Sequence, residues 1–212
     1  MSGRDLHLNI LTDIQKEVLD CLMSALENTD FYMAGGTSLA LQIGHRLSID
    51  FDWFTQRIND PERVFSIIKS HGVHFQTIDI SFETIYIDIK GVQVSFIGYD
   101  YPSLIPHSIF TYEGKKLRLA SIDDIACMKL SAIASRGSRK DFIDLWFIIQ
   151  QYRSLNEYIQ LYTKKFQNRD ISHIIRSLVY FEDAESEPEI LCKKPFQWEV
   201  LKETFENLVK KL

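Results

Sequence analysis

The fold of this chain is decided by the stretch Met33-Ala-Gly-Gly-Thr-Ser-Leu-Ala-Leu-Gln-Ile-Gly-His-Arg-Leu-Ser-Ile-Asp-Phe-Asp-Trp-Phe54. Residues 31–34 have the apolar composition of a buried strand, and the pair Gly35-Gly36 interrupts it. A short helix is predicted next, and Gly44 is expected to end it. The stretch therefore predicts a strand, a glycine turn, a helix and a second strand.

The helix start after the glycine turn is a candidate anion site. Thr37 or Ser38 is predicted to cap this helix, so that free backbone N–H groups point outward. These N–H groups and the helix dipole both favour negative charge. This end of the helix therefore suits a phosphate group.

Two carboxylates lie on the strand that follows. Alternation along the strand predicts that Asp50 and Asp52 share one face, while Ile49, Phe51 and Trp53 share the other. A hard divalent cation relieves the repulsion between neighbouring carboxylates, and Mg²⁺ is commonly held by one or two carboxylates plus substrate phosphates. Asp50 and Asp52 are thus candidate magnesium ligands. The alternative is that they are solvent-facing strand positions beside an ordinary turn.

These residues resemble the first motif of a known family. The turn Gly35-Gly36-Thr37 and the run His45-Arg46-x-Ser48-x-Asp50-x-Asp52-x-Phe54 are similar to the AbiEii/AbiGii toxin family of nucleotidyltransferases. In that family a Gly-Ser or Gly-Thr turn and a helix precede Asp-x-Asp. The resemblance implies that Asp50 and Asp52 are catalytic and bind Mg²⁺. It also implies nucleotide binding by residues in and after the turn, which are Gly35, Gly36, Thr37, Ser38, Arg46 and Ser48.

A second motif lies downstream, between Ala120 and Leu145. It is similar to the family's segment in which a helical lysine precedes an Arg-Gly-x-x-Lys-Asp turn and a further helix. The resemblance implies catalytic roles for Lys129, Lys140 and Asp141, and nucleotide binding by Arg136. Lys129 and Lys140 would contact phosphates, while Asp141 would orient Lys140 or help an incoming hydroxyl lose its proton.

The same basic residues have structural interpretations. Lys129 lies at the margin of an apolar helix face, where a lysine can extend its stem along apolar surface and keep its charge in water. The charged residues between Arg136 and Asp144 can also form a salt-bridge cluster at a helix start. Both interpretations stay open at the level of sequence.

A third carboxylate, which this family usually carries on a neighbouring strand, is missing. Ser95 occupies its expected position in the strand 92–97. If a hairpin turns at Lys90-Gly91, Asp88 pairs with Gln93 and lies diagonally from Ser95 on the same face. Asp88 is therefore a candidate third metal ligand, or simply an exposed strand residue.

Apolar spacing and turn residues predict the other elements. Helices are expected over residues 9–26, 60–70, 121–136 and 139–151, a strand over 75–82, a hairpin over 84–97 and a loop over 101–106. We therefore predict an α/β fold. Residues 1–114 would form a nucleotidyltransferase-type mixed β-sheet core with flanking helices, and residues 115–212 a helical C-terminal region that completes the active-site cleft.

Composition narrows the class of protein. The chain has 212 residues, of which 45% are hydrophobic, so it can bury a sizeable core. Its apolar runs are shorter than the roughly 20 residues of a membrane span, and residues 1–5 lack a signal-peptide pattern. A cytoplasmic protein without membrane contact is expected. Three widely spaced cysteines indicate neither a disulfide framework nor a zinc site.

Charge is unevenly distributed. Residues 115–176 contain 12 Lys and Arg against 6 Asp and Glu, whereas the rest of the chain contains 12 against 23. The basic region can bind a polyanion, or it can be the solvated surface of ordinary helices. The acidic remainder argues against a protein that coats nucleic acid in general.

The expected function is Mg²⁺-dependent transfer of a nucleoside monophosphate from an NTP to an acceptor. The resemblance implies the toxin of a toxin–antitoxin or phage-defence pair, with tRNA or another RNA as acceptor and a cognate antitoxin as partner. One alternative is an antibiotic-type nucleotidyltransferase that modifies a compact polyol. The other is a degenerate member that binds nucleotide or RNA without catalysis, for which Ser95 is the main argument.

Overall fold

The computed structural model describes residues 6–168 and 170–212, which divide into two compact units. Unit 1 comprises the described part of Met1–Ile43, with Ser48–Tyr101 and Pro106–Ala120. Unit 2 comprises Gly44–Leu47, Pro102–Ile105 and the described part of Ser121–Leu212. The expectation about a signal peptide concerns residues 1–5, which lie outside the described residues.

Unit 1 is built on one mixed β-sheet, to which the described residues contribute seven strands. In chain order these are β1 (Tyr32–Ala34), β2 (Phe51–Thr55), β3 (Gln76–Ser81), β4 (Thr84–Ile89), β5 (Val92–Gly98), β6 (Ser108–Tyr112) and β7 (Lys115–Leu119). Their spatial order is β3-β4-β5-β2-β1-β7-β6. Strand β2 runs antiparallel to β1 and parallel to β5, so it is supported on both sides.

Three helices of unit 1 are α1 (Asp13–Leu26), α2 (Gly35–Ile43) and α3 (Pro61–Ser70). Thr12 and Gln15 form a capping box at the start of α1, so the predicted helix 9–26 begins with a separate 3-10 turn at Leu8–Ile10. Helix α1 packs against α3, β5 and β7. On the sheet, Phe51 and Trp53 are 0% and 2% exposed and belong to the core of unit 1.

The start of β2 differs from the prediction. Ile49 was expected to share the buried face with Phe51 and Trp53, but it is 70% exposed. Pairing with β1 and β5 begins only at Phe51, and the Gln15 side-chain amide donates to the backbone carbonyls of Ser48 and Ile49 instead. The strand alternation therefore does not extend back to Ile49.

Unit 2 is helical. Its helices are α4 (Ile122–Arg136), α5 (Arg139–Gln151), α6 (Leu155–Phe166), α7 (Ser172–Ser177), α8 (Glu182–Ser186) and α9 (Trp198–Val209). As predicted, Ser121 caps α4 and Gly137 ends it, with φ +57°. Helix α4 packs against α5, α6 and α7, and α5 packs against α8 and α9. Phe142 and Phe205 are fully buried between these helices.

The region after residue 106 contains a hairpin that the sequence analysis missed. Strands β6 and β7 pair antiparallel, and β7 joins the sheet beside β1, although residues 115–119 were assigned to the helical region. Leu117 and Leu119 are buried while Lys116 and Arg118 alternate with them, which is the two-residue period of a strand. The predicted fold class, a mixed sheet with flanking helices followed by a helical region, is confirmed.

Across residues 6–168 and 170–212, each helix is either too short or too polar to span a bilayer.

Candidate active site

Gly35 and Asp52 lie in close contact in unit 1. Gly35 directly follows β1 and is the first residue of α2, with φ +72°, a left-handed conformation that glycine adopts without strain. A Cβ atom at this position would lie 2.5 Å from Oδ2 of Asp52. The glycine therefore leaves the space in which the Asp52 carboxylate sits.

Ser95 holds the other oxygen of the same carboxylate. Asp52 of β2 pairs with Ala34 of β1 and with Ser95 of β5. The Ser95 hydroxyl, which is buried, donates a hydrogen bond to Asp52 Oδ1. The serine at the position of the expected third acid thus orients Asp52 through its hydroxyl.

Thr37 fixes the backbone just before β2. Its hydroxyl donates to the backbone carbonyl of Asp50, and Oγ1 lies 2.8 Å from Oγ of Ser48. A hydroxyl has a single hydrogen, so Ser48 is the donor in the second bond. Thr37 and Ser38 are buried, and α2 begins at Gly35. The prediction that Thr37 or Ser38 caps this helix is therefore wrong, because the left-handed Gly35 starts the helix two residues earlier.

Asp50 and Asp52 have donor chemistry that fits Mg²⁺. Asp50 directly precedes β2, Asp52 is its second residue, and both side chains are half-buried. Carboxylate oxygens are the hard ligands this cation takes, with substrate phosphates and water completing its shell. Groups of three or more His, Cys, Asp or Glu that could hold a metal are absent from the described residues. The pair is thus suited to a cation that arrives with its substrate.

Asp88 lies at the turn end of the β4–β5 hairpin. The predicted turn at Lys90-Gly91 is confirmed, and Asp88 pairs with Gln93 as expected. The Asp88 carboxylate accepts a hydrogen bond from the backbone N–H of Gly91 at 2.8 Å, which stabilises the turn. Its role as a third metal ligand stays a prediction.

Asp144 is the centre of a buried charge cluster in unit 2. Its Oδ1 accepts from Arg46 Nε at 2.6 Å and lies 2.7 Å from His45 Nε2. Its Oδ2 accepts from Arg46 Nη2 at 3.0 Å and from Lys129 Nζ at 2.5 Å. Burial alone raises the pKa of Asp144, but Arg46 and Lys129 outweigh it and hold the pKa well below its ordinary value. The carboxylate is therefore charged.

Asp141 extends this cluster toward solvent. It accepts from Lys129 Nζ at 2.8 Å and from Arg136 Nε at 2.7 Å. Lys129 is almost fully buried between Asp141 and Asp144, whereas the Arg136 side chain is 55% exposed. The contacts of Lys129 are those of the salt-bridge cluster considered above, and its contact with a phosphate stays a prediction.

The structure gathers the predicted site residues in two groups. Unit 1 brings together Gly35, Gly36, Thr37, Ser38, Ser48, Asp50 and Asp52, and unit 2 brings together Arg46, Lys129, Arg136 and Asp141. Lys140 lies in the first turn of α5 and is half-buried. Sequence reasoning missed the roles of His45 and Asp144. The signal was the adjacent pair His45-Arg46, since a buried basic pair requires an acid.

His45 makes the stability of unit 2 depend on pH. Burial lowers the pKa of His45. The neighbouring Asp144 raises it, but the positive charges of Arg46 and Lys129 counteract Asp144, so the pKa stays below its ordinary value. The folded protein therefore keeps a neutral imidazole whose Nε2–H donates to Asp144. The unfolded chain takes up a proton near pH ~6.5, so stability is lost as the pH falls below that value.

We expect His45→Gln to flatten this pH dependence. One group contributes at most about 1.4 kcal/mol per pH unit to the free energy of unfolding. Urea unfolding at a series of pH values below ~6.5 measures the slope. The exposed His173 of α7 provides the control, and His173→Gln should keep the wild-type slope. Equal slopes in wild type and His45→Gln would contradict the assignment.

Gly35→Ala is expected to displace the Asp52 carboxylate and so to reduce activity. The added Cβ displaces the carboxylate, and a misplacement of about 1 Å can cost roughly a hundredfold in rate. Gly72 offers a matched control, because its φ is also +72° and its added Cβ would meet nothing within 4 Å. Both variants carry ~1–2 kcal/mol of backbone strain, but only Gly35→Ala should lose the activity that depends on Asp52. Equal activities would show that the contact with Asp52 is unimportant.

Comparison with known proteins identifies a family. The model of the nucleotidyl transferase AbiEii toxin, type IV toxin–antitoxin system, matches residues 17–211. An uncharacterized protein of Aquifex aeolicus (strain VF5) is 40% identical over 206 residues, which cover 92% of this chain and 94% of that protein. The match extends over both units.

Solved structures share the fold at low sequence identity. The nucleotidyltransferase toxin MenT4 from Mycobacterium tuberculosis H37Rv has a TM-score of 0.63 and 14% identity, over 92% of this chain and 82% of that chain. The antibiotic-resistance factor ANT(2″)-Ia has a TM-score of 0.58 and 12% identity, over 74% of this chain and 94% of that chain. Both comparisons agree with a mixed sheet followed by helices.

Proposed function

This chain belongs to the AbiEii nucleotidyl transferase toxin family, and we propose that it transfers a nucleoside monophosphate from an NTP to an RNA acceptor with Mg²⁺. Family membership makes the chain a nucleotidyltransferase of a type IV toxin–antitoxin system. The metal, the acceptor RNA, with tRNA as the first candidate, and the cognate antitoxin are the parts we propose.

One observation carries the proposal: the Asp52 carboxylate is fixed by a hydrogen bond on one side and fits against a glycine on the other. Ser95 binds Oδ1, and Gly35 leaves open the space that Oδ2 occupies. A glycine in a left-handed conformation and a buried hydroxyl are both needed to place this group. A carboxylate that merely faced solvent would need neither.

Each residue of unit 1 has a defined part in the proposed reaction. Asp50 and Asp52 would hold Mg²⁺, which when bound polarises phosphate oxygens and neutralises developing charge. The backbone N–H groups of Gly36 and Thr37, in the first turn of α2, would bind phosphate oxygens. The Thr37 hydroxyl acts differently, because it fixes the carbonyl of Asp50.

The parts predicted for unit 2 remain predictions. Lys140 and Arg136 are the charges of this group with access to solvent, since Lys140 is half-buried and the Arg136 side chain is 55% exposed. Lys129 is enclosed by Asp141 and Asp144. The basic composition of residues 115–176 supports a polyanionic acceptor such as RNA.

Radiolabelled NTPs test the proposal directly. The protein is incubated with each NTP, Mg²⁺ and total RNA, and label in the RNA is measured after electrophoresis. We expect label in RNA from at least one NTP, and its loss on chelation of the metal. Label that enters an added aminoglycoside but not RNA would establish the antibiotic-type alternative. Absence of label from every acceptor would establish the degenerate alternative.

A further inference from the structure

We propose that five aromatic side chains, two on the Asp52 face of the sheet and three in contact with them in sequence, form a stacking site for a nucleobase. These residues, named here the aromatic row, are His107, Tyr32, Phe54, Tyr99 and Tyr101. The inference rests on the proposed function, because it assigns a base-binding site to the nucleotide or RNA used in that reaction.

The rings of the aromatic row follow one another without a gap. The centroids of His107 and Tyr32 are 3.8 Å apart with an interplanar angle of 25°, and those of Tyr32 and Phe54 are 6.0 Å apart at 29°. Phe54 and Tyr99 are 5.7 Å apart at 85°, and Tyr99 and Tyr101 are 4.9 Å apart at 55°. The first two contacts are stacked, the third is edge-on and the fourth is tilted, so each ring touches the next.

Strand register places the aromatic row beside Asp52. Strand β1 pairs with β2 so that Tyr32 lies opposite Phe54 and Ala34 lies opposite Asp52. Phe54 is two residues from Asp52, so both side chains point to the same face, about 7 Å apart along the strand. Trp53 points to the opposite face and is buried there. The aromatic row therefore begins on the sheet face opposite Trp53, with Phe54 buried beneath it.

The exposure of the rings fits a platform. Phe54 is 6% exposed and forms its floor, Tyr32, Tyr99 and His107 are half-buried, and Tyr101 is 48% exposed. A nucleobase is a planar group with polar edges, and stacking on aromatic side chains tolerates any of the four bases. Its position beside the carboxylates of a nucleotidyl transferase makes a base the matching occupant.

Binding measurements on Tyr101 variants test this site. Tyr101→Ala and Tyr101→Leu both remove the ring. The leucine variant keeps apolar contact, so it remains informative if the alanine variant has a lower melting temperature. Affinities are measured for ATP, for a single-stranded oligoadenylate and for an abasic oligomer of the same length. We expect about tenfold weaker binding of a base-carrying ligand and unchanged binding of the abasic oligomer. Tyr101→Trp should restore the affinity.

Tyr180 provides a matched control. It lies outside the aromatic row in unit 2 and is also 48% exposed, so Tyr180→Ala removes an equally exposed ring. This variant should keep wild-type affinities. Weaker binding of ATP in the Tyr101 variants would identify the base of the NTP as occupant, whereas weaker binding of the oligoadenylate alone would identify a base of the acceptor.

The outcomes separate this inference from the proposed function. Wild-type affinities for ATP and oligoadenylate in both Tyr101→Ala and Tyr101→Leu would overturn the stacking site, even if wild-type protein labels RNA. Equal losses of affinity for the abasic and the base-carrying oligomer would also overturn it. If the Tyr101 variants lose base-dependent binding while wild-type protein labels no acceptor, the stacking site stands and the proposed transfer fails.

Discussion

Asp52→Asn is expected to abolish nucleotide transfer while leaving the fold intact. The amide keeps an oxygen that can accept from the Ser95 hydroxyl, and it has the same shape beside Gly35. It removes the negative charge that a divalent cation requires. Loss of a good metal ligand should cost about 3 kcal/mol or more of transition-state stabilisation, roughly a hundredfold in rate. Single-turnover kinetics with labelled NTP, together with thermal unfolding, measure both quantities.

Asp50→Asn should have a similar effect on transfer, because the two carboxylates are proposed to share the cation. The control is Asp79→Asn on β3, an exposed position at the edge of the same sheet. This variant should transfer nucleotide at the wild-type rate. Full activity in either Asp50→Asn or Asp52→Asn would refute the assignment of the metal site.

Asp144→Asn is expected to destabilise unit 2 strongly. Asp144 is fully buried and accepts from Arg46 and Lys129, which are nearly as buried. Removing one partner of a buried ion pair leaves uncompensated charge in the interior and typically costs about 3–5 kcal/mol. Urea unfolding at neutral pH measures the loss, with circular dichroism at 222 nm as a helix-sensitive signal.

Two further variants make this result specific. Asp183→Asn changes an exposed carboxyl of α8 in the same unit and should shift the free energy of unfolding by less than about 0.5 kcal/mol. The double variant Arg46→Gln with Asp144→Asn should be less destabilised than the sum of its single changes, since it removes charge of both signs. Strict additivity would show that Arg46 and Asp144 do not depend on each other.

Local sequence signals were sufficient for much of the fold. The glycine turn, the end of α2 at Gly44, the capping residue Ser121 and the turn at Lys90-Gly91 all act within a few residues of the chain. The start of β2 was not predictable in the same way. Its first residue depends on pairing with β1 and β5 and on the distant amide of Gln15, so Ile49 is exposed despite the alternation.

The candidate site shows the same limit. Asp50 and Asp52 could be recognised because their spacing has a local chemical meaning. Ser95 was noticed as a missing acid, but its hydrogen bond to Asp52 depends on the register of two parallel strands that are distant in sequence. Arg46 and Asp144 are 98 residues apart, so the only local sign of their contact in the sequence was the adjacent pair His45-Arg46.

The attachment of residues 44–47 has a consequence for synthesis on the ribosome. Arg46 can pair with Asp144 only after that residue has been synthesised, 98 residues later. The backbone groups of His45 and Leu47 bond to those of Lys193 and Leu191, which are synthesised later still. Contacts of such high contact order form late, after the intervening residues have emerged. Residues 44–47, which lead into Asp50 and Asp52, therefore gain these contacts only after Asp144 and residues 191–193 have been synthesised. A nascent chain that ends before Asp144 would keep the bonds of Thr37 and Gln15 to residues 48–50 but would leave Arg46 without its carboxylate partner.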